Sequence, residues 1–91
     1  MEDDVIFVGK KPLMSYVLAI LTHTNSGHNR VVLKARGTMI SKAVDISQIV
    51  KRKFSKDMKV IKVEVGTEEL QGREGDQKTR NVSFISIEMG L

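Results

Sequence analysis

Ninety-one residues, 41% hydrophobic and 29% charged, with one Pro and no Cys, describe a single globular domain without disulfides, thiolate metal sites or thiol catalysis. The longest apolar run, Tyr16 to Leu21, falls far short of the ~20 residues that cross a bilayer, and the acidic start Met1 to Asp4 does not suit a signal peptide, so a cytoplasmic location is expected. The net charge of +4 is unevenly placed: ten Lys and Arg against two Asp make residues 30–62 +8, while 1–29 carry −1 and 63–91 carry −3.

Val5 to Val8 is a short apolar run closed by Gly9, and predicts a strand buried on both faces. Pro12 suits the first position of a helix running to about Ser26 and stopped by Gly27. Leu13, Met14, Tyr16, Val17, Leu18, Ile20 and Leu21 give this helix one wide apolar side. Arg30 to Arg36 is a β-branched strand with Val31, Leu33 and Ala35 on one face and Val32, Lys34 and Arg36 on the other.

Gly37 and Thr38 open a second helix over Met39 to Phe54, with Thr38 as the expected N-cap. Its apolar residues cover more than half of the helical wheel, where a surface helix usually needs about 100°. Part of that surface, at Ile46, Ile49, Val50 and Phe54, is therefore expected to face another subunit. Lys59 to Val65 and Thr79 to Met89 alternate like strands around a Gly-rich, weakly apolar segment, which predicts a long hairpin with an extended tip. The order β-α-β-α-β-β, with right-handed crossovers, makes a two-layer α/β sandwich with both helices on one face of a mixed sheet.

Catalytic chemistry is poorly supplied. His23 and His28 are the only histidines, and their separation of five does not stack on one helical face, so polar surface histidines are expected rather than a metal pair. Glu68, Glu69, Glu74 and Asp76 belong to the hairpin tip, where solvent argues against tuned acid-base roles. Neither VGKKP nor ARGT has the spacing of a mononucleotide loop, and no cofactor is expected.

The two strand-to-helix turns are more informative. Lys10 and Lys11 precede the first helix, and Arg36 precedes the second, with Lys42 one turn in. Exposed cations beside a helix N-terminus cost about 0.3 to 1 kcal/mol each, yet the same amides and cations together suit a phosphate. Both turns lie beyond the carboxyl ends of parallel strands, where ligands of such folds tend to bind. The central basic block favours a polyanionic partner, although solvated Lys-rich faces account for the charge alone equally well.

The strings VGKKPLMSYVLAIL, VVLKARGTMISKAVD followed by IVKRKF, and KVEVGTEEL resemble the Alba family of small basic archaeal chromatin proteins over residues 5–89. The string K-A-R-G-x-x-I-S-K-A-V-D with G-K-K-P is far more specific than basic composition. The resemblance implies a single domain over 1–91, with an acidic tail at 1–4 and a hairpin arm at about 66–80. It implies a four-stranded sheet of order 1-2-4-3 with strand four antiparallel to the others, as in the C-terminal domain of a bacterial translation initiation factor.

It further implies a homodimer that coats and compacts double-stranded DNA with little sequence preference, in association with the chromosome. RNA, assemblies along DNA and heterodimers with a paralogue are the other partners implied. The carried-over contacts are Lys10, Lys11, Arg36 and Lys42, with Arg73, Lys78 and Arg80 on the arm. Lys10 and Lys11 are candidate acetylation sites, and Phe54 matches an aromatic position used between dimers.

Two departures stand out. Thr38 replaces a second basic residue found in many members, and residues 66–80 carry three cations against four carboxylates, an arm of net charge −1. An acidic arm enters an electronegative minor groove reluctantly. An RNA chaperone or ribonucleoprotein subunit is the main alternative, because four aromatics are too few for extensive base stacking and favour shape and backbone recognition of either nucleic acid. A protein–protein assembly module built on the second helix is a further alternative, and an enzyme is the least supported.

Overall fold

The computed structural model describes residues 4–72 and 79–91. The elements are β1 (Val5–Phe7), α1 (Leu13–Asn25), β2 (Arg30–Arg36), α2 (Ile40–Ile49), β3 (Lys59–Leu70) and β4 (Arg80–Gly90). The sheet order is β1-β2-β4-β3, with β1 parallel to β2 and β4 antiparallel to both β2 and β3. Fold class, strand order and strand directions thus agree with the sequence expectation.

The core lies between the helices and one face of the sheet. Val17 and Ile20 of α1 and Ala43 and Ile46 of α2 meet Val31, Leu33, Ile87 and Met89 of the central strands, with Val50 and Met58 completing the layer. The alternation in β2 sends Val31, Leu33 and Ala35 inward as expected, while Lys34 and Arg36 are exposed on the face away from the helices.

Several local expectations are corrected. β1 is an edge strand, and because none of the described elements covers the outer face of the sheet, Phe7 is 73% exposed rather than buried on both sides. The apolar side of α1 is narrower than its wheel implied, since only Tyr16, Val17 and Ile20 are buried while Met14 and Leu18 face solvent. Thr38 makes no capping bond: Gly37–Met39 forms a 3₁₀ turn, and Met39 occupies the cap position of α2. Gly37 takes φ of 60°, a left-handed value that a side-chain-bearing residue adopts at a cost, and this turns the chain from β2 into the helix.

At its other end α2 widens into a π turn over Val50–Phe54, closed by the Ser55 N–H donating to the Val50 carbonyl at 2.7 Å. Ile46 and Val50 are 0% exposed and belong to the chain's own core, so neither is available to another subunit as the helical wheel implied. The reason is that α2 packs against α1 as well as β2 and β4, and these neighbours use up the broad apolar arc. Phe54 is half exposed and Ile49 partly so.

The hairpin is long. β2 pairs with β4 only as far as Arg36 opposite Phe84, whereas β3 and β4 continue pairing to Leu70 opposite Arg80. The arm beyond Phe84 therefore projects past the body, and the molecule measures 48 × 24 × 21 Å. Val63 and Val65, opposite the buried Ile87 and Ile85, share the helix-side face but lie on the outer strand and are largely exposed. No helix among the described residues is long and apolar enough to cross a membrane.

Candidate nucleic-acid interface

Parallel pairing of β1 with β2 sets the two strand-to-helix turns side by side, and the Val8 N–H donates to the Lys34 carbonyl at 2.8 Å just before they begin. Lys42, in the first turn of α2, then links them. Its Nζ donates to the Gly9 carbonyl oxygen at 2.7 Å and to the Lys11 carbonyl oxygen, and lies 5.2 Å from the centre of the Tyr16 ring. The Tyr16 hydroxyl oxygen in turn accepts from the Gly9 N–H at 2.8 Å and the Lys11 N–H at 3.2 Å. The N–H and C=O groups of Gly9 and Lys11 are thereby satisfied by Tyr16 and Lys42, and the side chains of Lys10 and Lys11 are left exposed.

This geometry revises the phosphate-cradle expectation for the first turn. The amides of Gly9 and Lys11 are taken by Tyr16, so these two N–H groups are not offered to a phosphate. It also revises Lys42, whose ammonium is engaged by two carbonyls and partly buried instead of projecting outward with Lys10 and Lys11. Sequence spacing could not reveal this, because the acceptors lie more than thirty positions away.

Arg36 ends β2 on the outer face, where its Nη1 donates to Glu68 Oε2 of β3 at 3.0 Å, an exposed ion pair. The guanidinium is thus held by a carboxylate of the arm's own strand. Arg80 is exposed at the far end of the described arm, opposite Leu70, while Arg73 and Lys78 lie outside the described residues. Thr38 is exposed in the turn after Arg36.

Lys34 was not among the expected contacts. It stands two residues before Arg36 on the same face, bordering a groove with Phe7, Glu64, Phe84 and Ser86. The strand alternation that placed Arg36 outside places Lys34 there too and was the available signal. Lys51, Arg52 and Lys53 are exposed along the π turn at the C-terminal end of α2, where cations favour the helix dipole. They therefore have a structural explanation independent of any ligand.

At the opposite edge of the molecule, the α1–β2 connection corrects the reading of the histidines. Gly27 adopts φ of 96° after the last turn of α1 and reverses the chain, so that His28 returns to stack on His23 with ring centroids 4.2 Å apart. Asp4, placed in the acidic tail by the sequence reading, is held there by His23 at 3.1 Å and Arg30 at 3.5 Å. Arg30 also donates through Nε to Glu88 at 2.5 Å, and this bond, with the attraction between the charges, raises the guanidinium's proton affinity further.

Against known sequences, the Alba family model matches residues 4–68. The chain belongs to the Alba family. Among its relatives, the DNA/RNA-binding protein Alba of Picrophilus torridus is 53% identical over 87 residues, covering 94% of this chain and 93% of the relative. The protein of the same name from Thermoplasma acidophilum is 49% identical over 86 residues, with the same coverage.

A solved structure of Alba from Thermoplasma volcanium superposes on the chain with a TM-score of 0.87 at 46% identity, covering 96% of this chain and 99% of that one. An Alba protein of Trypanosoma brucei superposes at 0.77 with 19% identity, over 97% of this chain and 68% of that one, and shares the fold. The Alba fold accounts for the one-sided sheet and the projecting hairpin together.

Proposed function

We propose that this Alba-family chain is a non-enzymatic, dimeric chromatin protein that coats and compacts double-stranded DNA through phosphate contacts with little sequence preference. The observation that carries the reading is the pair of exposed lysines, Lys10 and Lys11, fixed on a loop tied by Lys42 to the turn that follows Arg36. Charges on such a prearranged edge bind a phosphate backbone without first ordering the loop. The relatives' description as DNA/RNA-binding proteins supports a nucleic-acid partner. It equally supports RNA, and the second reading is an RNA chaperone or ribonucleoprotein subunit using the same edge.

Lys10, Lys11, Arg36 and Arg80 are the proposed contacts, joined by Lys34, with Lys42 positioning the loop. Arg73 and Lys78 remain proposed from the sequence. Acetylation of Lys10 or Lys11 would remove a charge without disturbing the loop, because the bonds beneath it use backbone atoms and Tyr16. Exposed Val63 and Val65, with the partly exposed Ile49 and Phe54, support a second copy of the chain as a partner. A cytoplasmic, chromosome-associated location follows from this function.

A salt titration of binding to duplex DNA and to folded RNA of equal length tests it. If a dimer neutralises about six to eight phosphates, log K for the duplex falls with log salt at a slope of about −5 to −7. A binding curve that salt leaves unchanged would overturn phosphate recognition. Clear preference for folded RNA in direct competition would instead favour the second reading.

A further inference from the structure

We infer that Asp4, His23 and His28 form a binding site for a divalent transition ion of the zinc class, separate from the basic edge. One ligand atom from each of the three residues falls within 4.8 Å of the others. His23 Nε2 lies 3.1 Å from Asp4 Oδ1, close to the ligand-to-ligand edge of about 3.3 Å expected for tetrahedral zinc with bonds near 2.0 Å. His28 Nδ1 is 3.9 Å from the same carboxylate oxygen. The two rings are stacked parallel, with their lone pairs in separate planes, so a shared ion requires the His28 ring, 49% exposed, to turn out of the stack about its side-chain bonds.

The chemistry suits the assignment. Two imidazole nitrogens and one carboxylate oxygen form a borderline donor set preferred by zinc, nickel and copper over magnesium or calcium. Arg30 sits beside Asp4 Oδ2, while Oδ1 is the oxygen turned to both imidazoles. Arg30 is itself balanced by Glu88 on its other side, so the carboxylate is oriented by a cation that is already compensated. Such outer contacts orient a ligand and tune its strength.

Three protein ligands leave room for water, and the exposed His28 gives an ion a path in. The ligands come from the segment before β1, the end of α1 and the turn before β2, and an ion would fasten these three together. Gly27 is what makes the site, because its left-handed backbone brings His28 back over a helix that sequence spacing alone would keep it away from.

The test is calorimetric titration of the untagged full chain with zinc chloride, alongside long-range proton–nitrogen spectra of the imidazoles. One zinc ion per chain is expected, moving the His23 and His28 ring signals together and raising the melting temperature. His28→Ala and Asp4→Asn should each weaken zinc binding at least about tenfold while Lys11→Ala leaves it unchanged. His28→Ala alters an exposed residue, and a circular dichroism spectrum like that of the unaltered chain establishes that it folds. No binding at millimolar zinc, or equal affinity in the folded His28→Ala and Asp4→Asn variants, would overturn the site. Nucleic-acid binding is read separately, so either conclusion can fail without the other.

Discussion

Lys42 Nζ stands 2.7 Å from the carbonyl oxygen of Gly9, fastening the start of α2 to the loop that carries Lys10 and Lys11. Replacing Lys42 by Met retains most of the stem over the Tyr16 ring but removes the donors. We expect Lys42→Met to cost about 1 to 3 kcal/mol of stability, the range for hydrogen bonds involving a charged group, with the lower end favoured by partial exposure. Urea denaturation measures the loss, and faster amide exchange at Gly9 and Lys11 would locate it in the loop. A variant with unchanged exchange at both amides would show that Lys42 does not hold the loop.

Glu68 holds Arg36 with an exposed carboxylate, and a phosphate must compete with it. Glu68→Gln is expected to tighten DNA binding severalfold, with a change in stability of no more than about 1 kcal/mol because exposed ion pairs contribute little. Arg36→Glu is expected to weaken binding without unfolding the chain. Fluorescence anisotropy at fixed salt decides the matter, and weaker binding by Glu68→Gln would mean that the pair positions Arg36 rather than occupying it.

Gly37 separates backbone strain from crowding. A Cβ at this position would meet Val82 Cγ1 at 3.7 Å, an ordinary contact, yet φ is 60°. Gly37→Ala should therefore destabilise the chain by about 1 to 2 kcal/mol through conformation alone. Thermal unfolding would detect this, whereas a melting temperature equal to that of the unaltered chain would indicate that the turn readily takes another shape.

Ile46 and Phe54 are expected to part company. Ile46→Ala opens a cavity in the core and should cost about 2 to 5 kcal/mol. Phe54 is 50% exposed, and Phe54→Ala should leave stability within about 0.5 kcal/mol while reducing self-association measured by sedimentation. Equal losses of stability would contradict their different environments.

The order of elements and the inward set of β2 were legible in the sequence because strand and helix periods differ and glycines punctuate both. What escaped was decided by neighbours. Val5 to Phe7 looks like an interior strand until the sheet order makes it an edge above an uncovered face. Ile46 and Val50 look surplus until α1 is known to pack against α2. The lysines at the two turns are alike in sequence, and only the positions of Tyr16 and the loop carbonyls distinguish Lys42, which clamps, from Lys10 and Lys11, which are exposed. The histidine stack depends on one backbone angle at Gly27, which residue spacing does not encode.

The way the hairpin leaves the body has a mechanical consequence. Phe84 is the last β4 residue opposite β2, and its ring lies over Gly66 so closely that a Cβ there would come within 2.6 Å of it. Beyond this point the ladder to β2 ends, and the described arm meets the body through the Arg36–Glu68 ion pair and the approach of Val82 to Gly37. The arm is therefore a lever with a close-packed aromatic fulcrum, and Arg36, directly opposite Phe84, sits at the pivot. Because Glu68, two residues past Gly66, grips the Arg36 guanidinium, any bending of the arm about Phe84 shifts or breaks that ion pair, which couples the arm's direction to the freedom of the strand-end cation.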